Sequence, residues 1–473
     1  MEMSYSDFLL KVSKPSRYIG HEINIVKKNE SDVDVTMALA FPDVYEVGMS
    51  HQGLKILYGI LNNHSWIAAE RVFCPWPDME NEIRISGQRL RSLESDKPLN
   101  YFDILGFSIQ HELCYSNILT MLDLAGIPFL SSDRCETFPL IIAGGPACFN
   151  PEPVADIFDA ILIGDGENAV VQLCNIVREG KKNNKTKDQI LRALSNIKGF
   201  YIPSFFKPHY NDDKKFTFIE PLVKGYEKVE KSVIADMSES PFPVTQVIPF
   251  TQLVHDRLSV EISRGCTRGC RFCQAGMIYR PVRERKPDDI LQLADRALSS
   301  TGFEEMSLLS LSSGDYSCIA PLIKELMDRQ ADRKVAISLP SLRIDSIDPF
   351  WFEQIKRVRK TGFTMAPEAG TDRLRKIINK TLTNEEIIKT SSDVYAAGWK
   401  LIKLYFMIGL PGETEEDLYG IIDLAKKVAS ASRSKGKKDV LNISVSTFVP
   451  KAHTPFMWEP QIEYKESFRR INV

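Results

Sequence analysis

The chain has 473 residues, of which 43% are apolar and 26% are charged, as in ordinary globular proteins. Its 60 basic and 62 acidic residues leave a net charge of -2, which argues against a strongly basic protein that binds nucleic acid or a membrane surface through its overall field. A chain of this length exceeds what one hydrophobic core usually serves, so we expect two domains.

Residues 1–32 are predicted to form an N-terminal arm. They contain no continuous apolar core with a small-residue cleavage site, and no later apolar run approaches the length needed to cross a bilayer. We therefore expect a cytoplasmic protein with no membrane partner. In that reducing compartment, the nine cysteines are expected to be metal ligands, reactive thiols or buried side chains rather than disulfides.

Residues 33–200 alternate apolar strand-like segments with amphipathic helical segments, beginning with VDVTMALAF. This alternation predicts a doubly wound parallel sheet with helices on both faces, which is a Rossmann-like α/β domain. In such sheets the ligand crevice lies outside the carboxyl ends of the strands. The small residues that we expect at its rim are Ser108, Gly144, Gly145, Gly164 and Gly166.

A second alternation follows a predicted linker at residues 201–254, which is rich in proline and aromatic residues and lacks helical periodicity. Six strand-then-helix units within residues 255–460 predict a partial (β/α)6 barrel of the TIM type, whose functional loops follow the strands. Residues 461–473 contain a new helical start, which we interpret as the beginning of a C-terminal extension.

Three of the cysteines fall in one short loop, SRGCTRGCRFCQAG, directly after the first strand of this barrel. Cys266, Cys270 and Cys273 have the spacing C-x3-C-x2-C. Iron–sulfur clusters ordinarily take four thiolates, so three would leave one iron open to another ligand. A structural zinc site would need four closed ligands, and no cysteine or histidine follows at suitable spacing. The other six cysteines are scattered and are interpreted as small buried side chains: Cys74, Cys114, Cys135, Cys148, Cys174 and Cys318.

The cysteine motif, with the aromatic Phe272 just before its last cysteine, resembles the hallmark of the radical S-adenosylmethionine (SAM) superfamily. The resemblance implies a [4Fe-4S] cluster whose open iron binds the amino and carboxylate groups of SAM. One electron from the reduced cluster cleaves SAM into methionine and a 5'-deoxyadenosyl radical, which abstracts hydrogen from a substrate. No catalytic side chain is expected beyond the cluster ligands, because the cofactor carries the chemistry. A low-potential electron donor such as flavodoxin or ferredoxin is the expected partner.

Further segments resemble SAM-binding positions of the superfamily in their order along the chain. The turn in LSSGDYS takes the place of the usual Gly-Gly-Glu motif, and its match is degenerate at Asp315. Glu368 in MAPEAG matches a glutamate that touches SAM, although Ala369 stands where serine is common. Arg343 ends the third strand and is either a partner of the SAM carboxylate or a surface residue. The residues assigned to SAM are Phe272, Ser313, Gly314, Asp315, Arg343, Glu368, Gly409, Pro411 and Gly412.

The first domain, through its segments IIAGGP and LIGDGEN, resembles the cobalamin-binding domain that precedes many radical SAM barrels. Small residues at strand ends let a corrin approach the backbone, so the rim residues named above are the expected cobalamin contacts. The Asp-x-His-x-x-Gly signature that supplies an axial histidine is absent, and His51 and His111 are the nearby histidines. Each is more often a satisfied histidine than a ligand, so a binding mode without histidine is favoured.

Nearly the whole chain resembles a family of radical SAM proteins with such an N-terminal domain. The leading prediction is a cobalamin-dependent radical SAM enzyme that methylates an unactivated carbon. One alternative is a cobalamin-independent enzyme that recognises its substrate, with RNA as a candidate, through the first domain. A non-catalytic iron–sulfur scaffold would explain the cysteines but not the SAM-like turns. The RNA alternative rests on basic residues near the cluster loop and elsewhere in the barrel: Arg264, Arg268, Arg271, Arg280, Arg283, Arg285, Lys286, Lys356, Arg357, Arg359 and Lys360.

Overall fold

The computed structural model describes residues 5–339, 349–355, 357–358, 363–431 and 440–472. The chain divides into two compact units. The first comprises residues 1–235, 239–256 and 299–301, and the second comprises residues 236–238, 257–298 and 302–473. Most of the segment expected to be a linker therefore belongs to the first unit.

The first unit is built around one parallel sheet with helices between the strands. Its strands are β1 (Val35–Phe41), β2 (Ile67–Phe73), β3 (Ile104–Ser108), β4 (Leu140–Gly144), β5 (Ala160–Leu162), β6 (Phe200–Tyr201), β7 (Phe206–Tyr210) and β8 (Phe216–Pro221). Its helices are α1 (Tyr45–Gly48), α2 (Gln52–Asn62), α3 (Pro77–Ser86), α4 (Tyr115–Ala125), α5 (Glu167–Lys182) and α6 (Lys187–Leu194). The last two strands form a separate antiparallel hairpin.

The main sheet has the strand order β2-β1-β3-β4-β5-β6, in which only β6 runs antiparallel to its neighbour. Every residue of β1 and β2 is buried, as expected for strands covered on both faces. From β1 the chain runs to one side to form β2, and then crosses back to form β3 on the other side of β1. The pair β1 and β3 is therefore the topological switch point, where open α/β sheets place a ligand crevice.

The second unit contains two groups of parallel strands that alternate with helices. Its strands are β9 (Leu258–Glu261), β10 (Ser263–Arg264), β11 (Arg283–Glu284), β12 (Glu305–Leu309), β13 (Ala336–Ser338), β14 (Phe363–Glu368), β15 (Leu401–Ile408) and β16 (Val440–Thr447). Its helices are α7 (Ala275–Ile278), α8 (Pro287–Thr301, whose last three residues group with the first unit), α9 (Ile319–Gln330), α10 (Pro349–Ile355), α11 (Asp372–Ile377), α12 (Asn384–Ala396), α13 (Glu415–Ser430) and α14 (Tyr464–Ile471).

The two parallel groups have the orders β13-β12-β9 and β14-β15-β16. Their six strands follow one another in chain order, each separated from the next by helical segments, which confirms the predicted α/β class of this half. Among the described residues, no helix is both long and apolar enough to cross a membrane.

Candidate functional site

The three clustered cysteines lie in a loop that leaves the carboxyl end of β9 and enters α7. We call residues 265–274 the cluster loop. Its base is closed by the short antiparallel pair β10 and β11. Gly265 has φ 94°, and a Cβ there would lie 2.7 Å from the Tyr279 carbonyl oxygen and 2.8 Å from that of Pro281. Only glycine fits this close approach, so the backbone fixes where the loop begins.

The cysteines themselves are half-buried, so a ligand can reach them while the loop partly screens them from water. The Cys273 sulfur accepts a hydrogen bond of 3.4 Å from the Gly276 amide at the start of α7. Burial raises the pKa of the Cys273 thiol, the Gly276 amide opposes that rise, and the neighbouring Cys266 adds to it. A positively charged iron cluster would offset both effects, because cysteine binds metal as the thiolate.

The three sulfurs are not drawn together as single-ion ligands would be. They do not all lie within 4.8 Å of one another. A tetrahedral zinc with bonds of about 2.3 Å would hold its sulfur ligands about 3.8 Å apart. The loop therefore suits a larger group, such as an iron–sulfur cluster, better than one zinc ion.

The cluster loop is held against the segment that follows α11. The Arg271 amide donates to the Ile378 carbonyl at 3.0 Å, and the Arg271 guanidinium donates to the Ile377 carbonyl at 2.5 Å. The side-chain amide of Asn379 donates to the Gly269 carbonyl at 2.9 Å. These bonds hold the loop on either side of Cys270.

A polar cavity of about 430 Å³ opens beside the loop and is lined by Thr267, Arg268, Asp315, Asn379 and Thr381. The Arg268 Nε donates to an Asp315 carboxylate oxygen at 2.8 Å, so the cluster loop and the turn after β12 meet at this cavity.

The turn after β12 carries an orphaned polar group. Ser313 is fully buried, and its hydroxyl donates to the Leu308 carbonyl at 3.3 Å. The adjacent Ser312 hydroxyl oxygen is buried and has no hydrogen-bond partner within the described parts of the chain. Buried polar atoms are usually hydrogen-bonded, so this hydroxyl is available to bond a polar ligand that binds at the turn.

Glu368 ends β14 next to the cysteines in an unusual backbone conformation. Its φ is 67°, and the β14–β15 register shifts between Met365 and Glu368. Lys380 pairs with its carboxylate at 3.0 Å, and side-chain exposure is only 12% for the lysine and 16% for the glutamate. The charges of Glu368 and Lys380 also act on the pKa of Cys273, although more weakly than its burial, so this pair lies beside the cluster loop. A glutamate rarely adopts positive φ, so the surrounding fold rather than the residue's own preference sets this conformation.

The loop with the predicted SAM residues Gly409, Pro411 and Gly412 follows β15. Gly409 and Gly412 have φ of 76° and 77°, and the Gly409 amide donates to Glu413 at 2.9 Å. Leu410, between them, is buried in a small apolar cluster that includes residues from four strand ends. We call this cluster the loop core. It comprises Ala369, Leu374, Ile378, Leu410, Phe448 and Phe456, with Phe272, Ile377 and Met407 packed against it.

The structure therefore brings the loops carrying most of the predicted SAM residues together at the carboxyl ends of the barrel strands. Phe272 packs against the loop core, Asp315 lines the cavity, and Glu368 lies beside Cys273. Arg343 falls at residues 340–348, outside the described residues. Sequence reasoning missed Ser312, Asn379 and Lys380, because none belongs to a recognised motif and each matters only through a tertiary contact.

At the carboxyl edge of the first sheet, the five predicted rim residues differ in what surrounds them. Ser108 and Gly144 are paired across β3 and β4. A Cβ on Gly145 would meet the Ile109 carbonyl at 2.5 Å, and one on Gly164 would clash with Ser232, so the chain's own backbone requires these two glycines. A Cβ on Gly144 or Gly166 would meet nothing closer than 3.9 and 3.5 Å respectively, so these positions leave room.

The two histidines named above have different surroundings. His51 immediately precedes α2 as its N-cap, and its Nδ1 accepts a hydrogen bond of 3.2 Å from the Leu54 amide. Burial lowers the pKa of His51 to about 4, against a weaker opposing hydrogen bond with Gln110. His51 is therefore a neutral helix cap. His111 is exposed and contacts the buried thiol of Cys114, with 3.5 Å between its Nδ1 and the sulfur.

The scattered cysteines are mostly buried, as expected: Cys74, Cys114, Cys148 and Cys174. Cys135 is exposed and Cys318 is half-buried. Burial raises the pKa of Cys114 to about 11, with the charge of Asp43 contributing. Burial also raises the pKa of the Cys74 thiol to about 12, with smaller contributions from Glu80, Asp43 and Cys114.

Comparison with known families gives two matches. Residues 260–425 match the radical SAM superfamily, and residues 53–203 match the N-terminal region of radical SAM proteins. A similar protein is the uncharacterized protein MJ0966 of Methanocaldococcus jannaschii, 28% identical over 89% of this chain and 78% of that protein. The ribosomal protein uS12 methylthiotransferase RimO of Thermosipho africanus is 24% identical over 56% of this chain and 65% of that protein.

Two solved structures share the fold. The radical SAM methyltransferase TsrM of Kitasatospora setae, solved with cobalamin and a [4Fe-4S] cluster, has a TM-score of 0.60 at 12% identity, covering 90% of this chain and 74% of that one. The cobalamin-dependent SAM radical enzyme OxsB, solved with aqua-cobalamin and SAM, has a TM-score of 0.56 at 15% identity, covering 93% of this chain and 62% of that one. Together with the cysteine loop and its cavity, the two family matches show that this chain is an enzyme of the radical SAM superfamily.

Proposed function

We propose that this chain is a cobalamin-binding radical SAM enzyme that methylates an unactivated carbon of its substrate. The single observation that carries the proposal is the cluster loop with its three half-buried cysteines, set beside a polar cavity at the carboxyl ends of parallel strands. When bound, the [4Fe-4S] cluster and SAM supply a 5'-deoxyadenosyl radical after one-electron reduction. The cluster ligands in this proposal are Cys266, Cys270 and Cys273.

The chain's own groups are suited to hold SAM by its charges. Asp315 lines the cavity, where its carboxylate can face the methionyl ammonium group, and Arg268 holds that carboxylate in place at 2.8 Å. Glu368 is a second anionic group near the cysteines, and Lys380 fixes its orientation. Charge-assisted hydrogen bonds of this kind are stronger than neutral ones and orient the ligand as well as bind it. Arg268 and Lys380 are therefore positioning residues. We assign to the same SAM site Phe272, Ser313, Gly314, Gly409, Pro411 and Gly412. Arg343 remains a prediction.

The cobalamin part of the proposal is supported by the first sheet. Its order places a ligand crevice at the carboxyl edge, where Ser108, Gly144 and Gly166 are half-buried and small. Gly145 and Gly164 shape the edge through their backbone conformations. His51 is engaged in capping α2, which supports binding without a histidine ligand from that loop.

Radical SAM enzymes need a substrate and a reductant. We propose a flavodoxin or ferredoxin as the electron donor, because one electron at low potential must reach the cluster.

The alternative, a cobalamin-independent enzyme that modifies RNA, has one observation in its favour: several similar proteins are named for acting on tRNA. The basic residues around the cluster loop give the RNA alternative less support than their number suggests. Arg283 and Arg285 are buried, and Arg264 pairs with Glu261 at 2.8 Å. Lys356, Arg359 and Lys360 lie outside the residues whose side chains are described. A phosphate-binding surface needs exposed cations, so we favour the cobalamin proposal.

The cluster is tested by anaerobic reconstitution with iron, sulfide, dithionite and SAM. The proposal expects 5'-deoxyadenosine from the wild type and none from Cys270→Ala. The matched control is Cys135→Ala, an exposed cysteine of the first unit, which should cleave SAM like the wild type. Absence of 5'-deoxyadenosine from the wild type, with or without cobalamin, would favour the iron–sulfur scaffold.

Cobalamin is tested by titrating hydroxocobalamin and following the corrin absorbance. Gly144→Ala adds a methyl group that the free protein accommodates, so it should weaken corrin binding about tenfold while leaving thermal stability unchanged. Gly87→Ala is the control, because Gly87 ends α3 at φ 68° with open space around it. That variant should lose stability but bind corrin normally. No absorbance shift with the wild type would reject the methyltransferase and favour the alternative.

A further inference from the structure

Three side chains with metal-binding groups converge at the switch point of the first sheet, on the same carboxyl edge as the proposed corrin contacts but at other residues. Asp43 follows β1, and His111 and Cys114 follow β3. One ligand atom from each lies within 4.8 Å of the other two, the one such group of three among the described residues. Sequence reasoning did not find it, because the residues are far apart in the chain and only the strand order makes them neighbours.

The Cys114 sulfur is close to both nitrogens of the His111 ring, at 3.5 Å from Nδ1 and 3.7 Å from Nε2. A tetrahedral zinc ion, with bonds of about 2.3 Å to sulfur and about 2.0–2.1 Å to nitrogen, holds its sulfur and nitrogen ligands about 3.6 Å apart. The separation therefore suits a shared ion, but the nearly equal distances show that the sulfur faces the ring rather than the lone pair of one nitrogen. Because His111 is exposed, its imidazole can turn to present one nitrogen to an ion bound at the sulfur.

The loops that carry these residues are fastened to one another. The Asn117 side-chain amide on α4 donates to the Pro42 carbonyl at 3.0 Å, which ties the loop after β1 to the helix after β3. The Cys74 amide, just after β2, donates to the Asp43 carbonyl at 3.0 Å. Three adjacent strand ends are thus joined by these two hydrogen bonds, and a preorganised site loses less entropy when it binds an ion.

The charges also favour a cation. The Asp43 carboxylate accepts a hydrogen bond of 2.7 Å from the Val44 amide, and it forms no ion pair with any lysine or arginine of the described ranges. Cys114 is only 2% exposed, whereas His111 is exposed, so an ion can enter from the solvent side and reach the buried sulfur.

We propose that Asp43, His111 and Cys114 form a binding site for a borderline divalent transition-metal ion of the zinc type. One sulfur, one imidazole nitrogen and one carboxylate oxygen are all accepted zinc ligands, and three protein ligands leave a fourth position open to water or another molecule. The site contains none of the iron–sulfur cysteines. It shares the carboxyl edge of the first sheet with the proposed corrin contacts, so zinc binding is measured in the absence of cobalamin.

The test uses full-length protein whose cluster loop is already filled by anaerobic reconstitution, so that those cysteines cannot take up zinc. After incubation with Zn²⁺ and removal of excess with a weak chelator, iron and zinc are measured together by elemental analysis. We expect about one zinc ion per chain in the wild type. His111→Ala and Cys114→Ser should lose the zinc while keeping the iron, and Cys135→Ser should keep both metals.

Each result decides the proposal. Zinc retained by both His111→Ala and Cys114→Ser overturns it, as does zinc absent from the wild type or lost equally from Cys135→Ser. Because His111 is exposed, His111→Ala still tests the site even if Cys114→Ser fails to fold. Co²⁺ provides a second measurement: a sulfur-to-cobalt charge-transfer band should appear in the wild type and be missing from Cys114→Ser. A band that persists in that variant places the ion elsewhere.

Discussion

Glu368 is held by the fold in a conformation that a glutamate rarely adopts, beside the cysteines and against Lys380. We predict that Glu368→Gln lowers SAM affinity about tenfold to a hundredfold, since a hydrogen bond to a charged group contributes about 1.5–3 kcal/mol. Iron content should stay unchanged, because Glu368 is not a cluster ligand. Affinity is measured by titrating SAM into the reconstituted protein and following the cluster EPR signal.

The control is Glu385→Gln, which neutralises an exposed glutamate in the first turn of α12. It should leave both SAM affinity and iron content at wild-type values. Equal SAM affinity in Glu368→Gln and the wild type would contradict the proposed role of this carboxylate.

His51 gives the first unit a dependence on pH. Its pKa is about 4 in the folded protein, because burial disfavours the imidazolium, against about 6.5 in an unfolded chain. The unfolded state therefore binds the proton more readily than the folded state. The contribution of neutral His51 to folding stability is fully present above pH 6.5 and is lost as the pH falls toward 4. Between about pH 7.5 and pH 5 this side chain should account for about 2 kcal/mol of lost stability.

Urea unfolding at both pH values checks this prediction. His51→Asn keeps a side-chain oxygen that can cap α2 but cannot be protonated, so its stability should fall less between the two pH values than that of the wild type. The same loss in both proteins would show that other groups produce the acid sensitivity.

The cysteine motif, Phe272 and Glu368 could be predicted from the sequence because their spacing and order are local properties of the chain. Lys380 could not, because its role depends on a side-chain contact with a residue twelve positions earlier that only the turn after α11 creates. Asp43 and Cys114 were missed for a similar reason. A lone aspartate and a scattered cysteine carry no signal until adjacent strands bring them together.

At the scale of the elements, the loop core joins the ends of β9, β14, β15 and β16 beneath the cluster loop. Leu410 is buried there, at 3% exposure. We predict that Leu410→Ala destabilises the second unit by about 2–5 kcal/mol and speeds loss of iron from the reconstituted protein, because the cavity loosens packing around Phe272. Iron release to a chelator, measured alongside urea unfolding, tests both effects.

Leu424→Ala is the matched control. Leu424 is equally buried, but it belongs to the separate core formed by α12, α13 and the β14–β15–β16 sheet. It should destabilise the unit by a similar amount while releasing iron at the wild-type rate. If the two variants release iron equally fast, general stability rather than the loop core retains the cluster.

The strands and helices were largely predictable from the sequence. Buried parallel strands appear as uninterrupted apolar runs, and the helices between them show a clear helical periodicity of apolar residues. The strand order was not, since periodicity carries no information about which strands are neighbours. The segment after residue 201 was predicted to be a linker, yet the hairpin of β7 and β8 and the residues up to 235 group with the first unit. Proline and aromatic content indicated irregular backbone there, but not that Phe205, Phe206 and Tyr226 would enter a core.

At the scale of the whole molecule, the proposed cofactors, cobalamin and the iron–sulfur cluster, bind to different units, each of which has its own core. The corrin contacts all lie within residues 108–166, and the cluster ligands all lie within residues 266–273. Removing a residue that binds one cofactor should therefore leave binding of the other cofactor intact. We predict that Cys270→Ala, which cannot hold a complete cluster, binds hydroxocobalamin with wild-type affinity.

The reciprocal measurement uses Gly144→Ala. This variant should keep its iron and should still cleave SAM to 5'-deoxyadenosine when no methyl acceptor is present, because both properties belong to the second unit. Methyl transfer should fail in Cys270→Ala, and in Gly144→Ala it should fall at limiting cobalamin and recover at saturating cobalamin, since that reaction needs both groups. If Cys270→Ala lost corrin affinity, or Gly144→Ala lost iron, the two sites would be coupled, and the division of binding between separately packed units would be wrong.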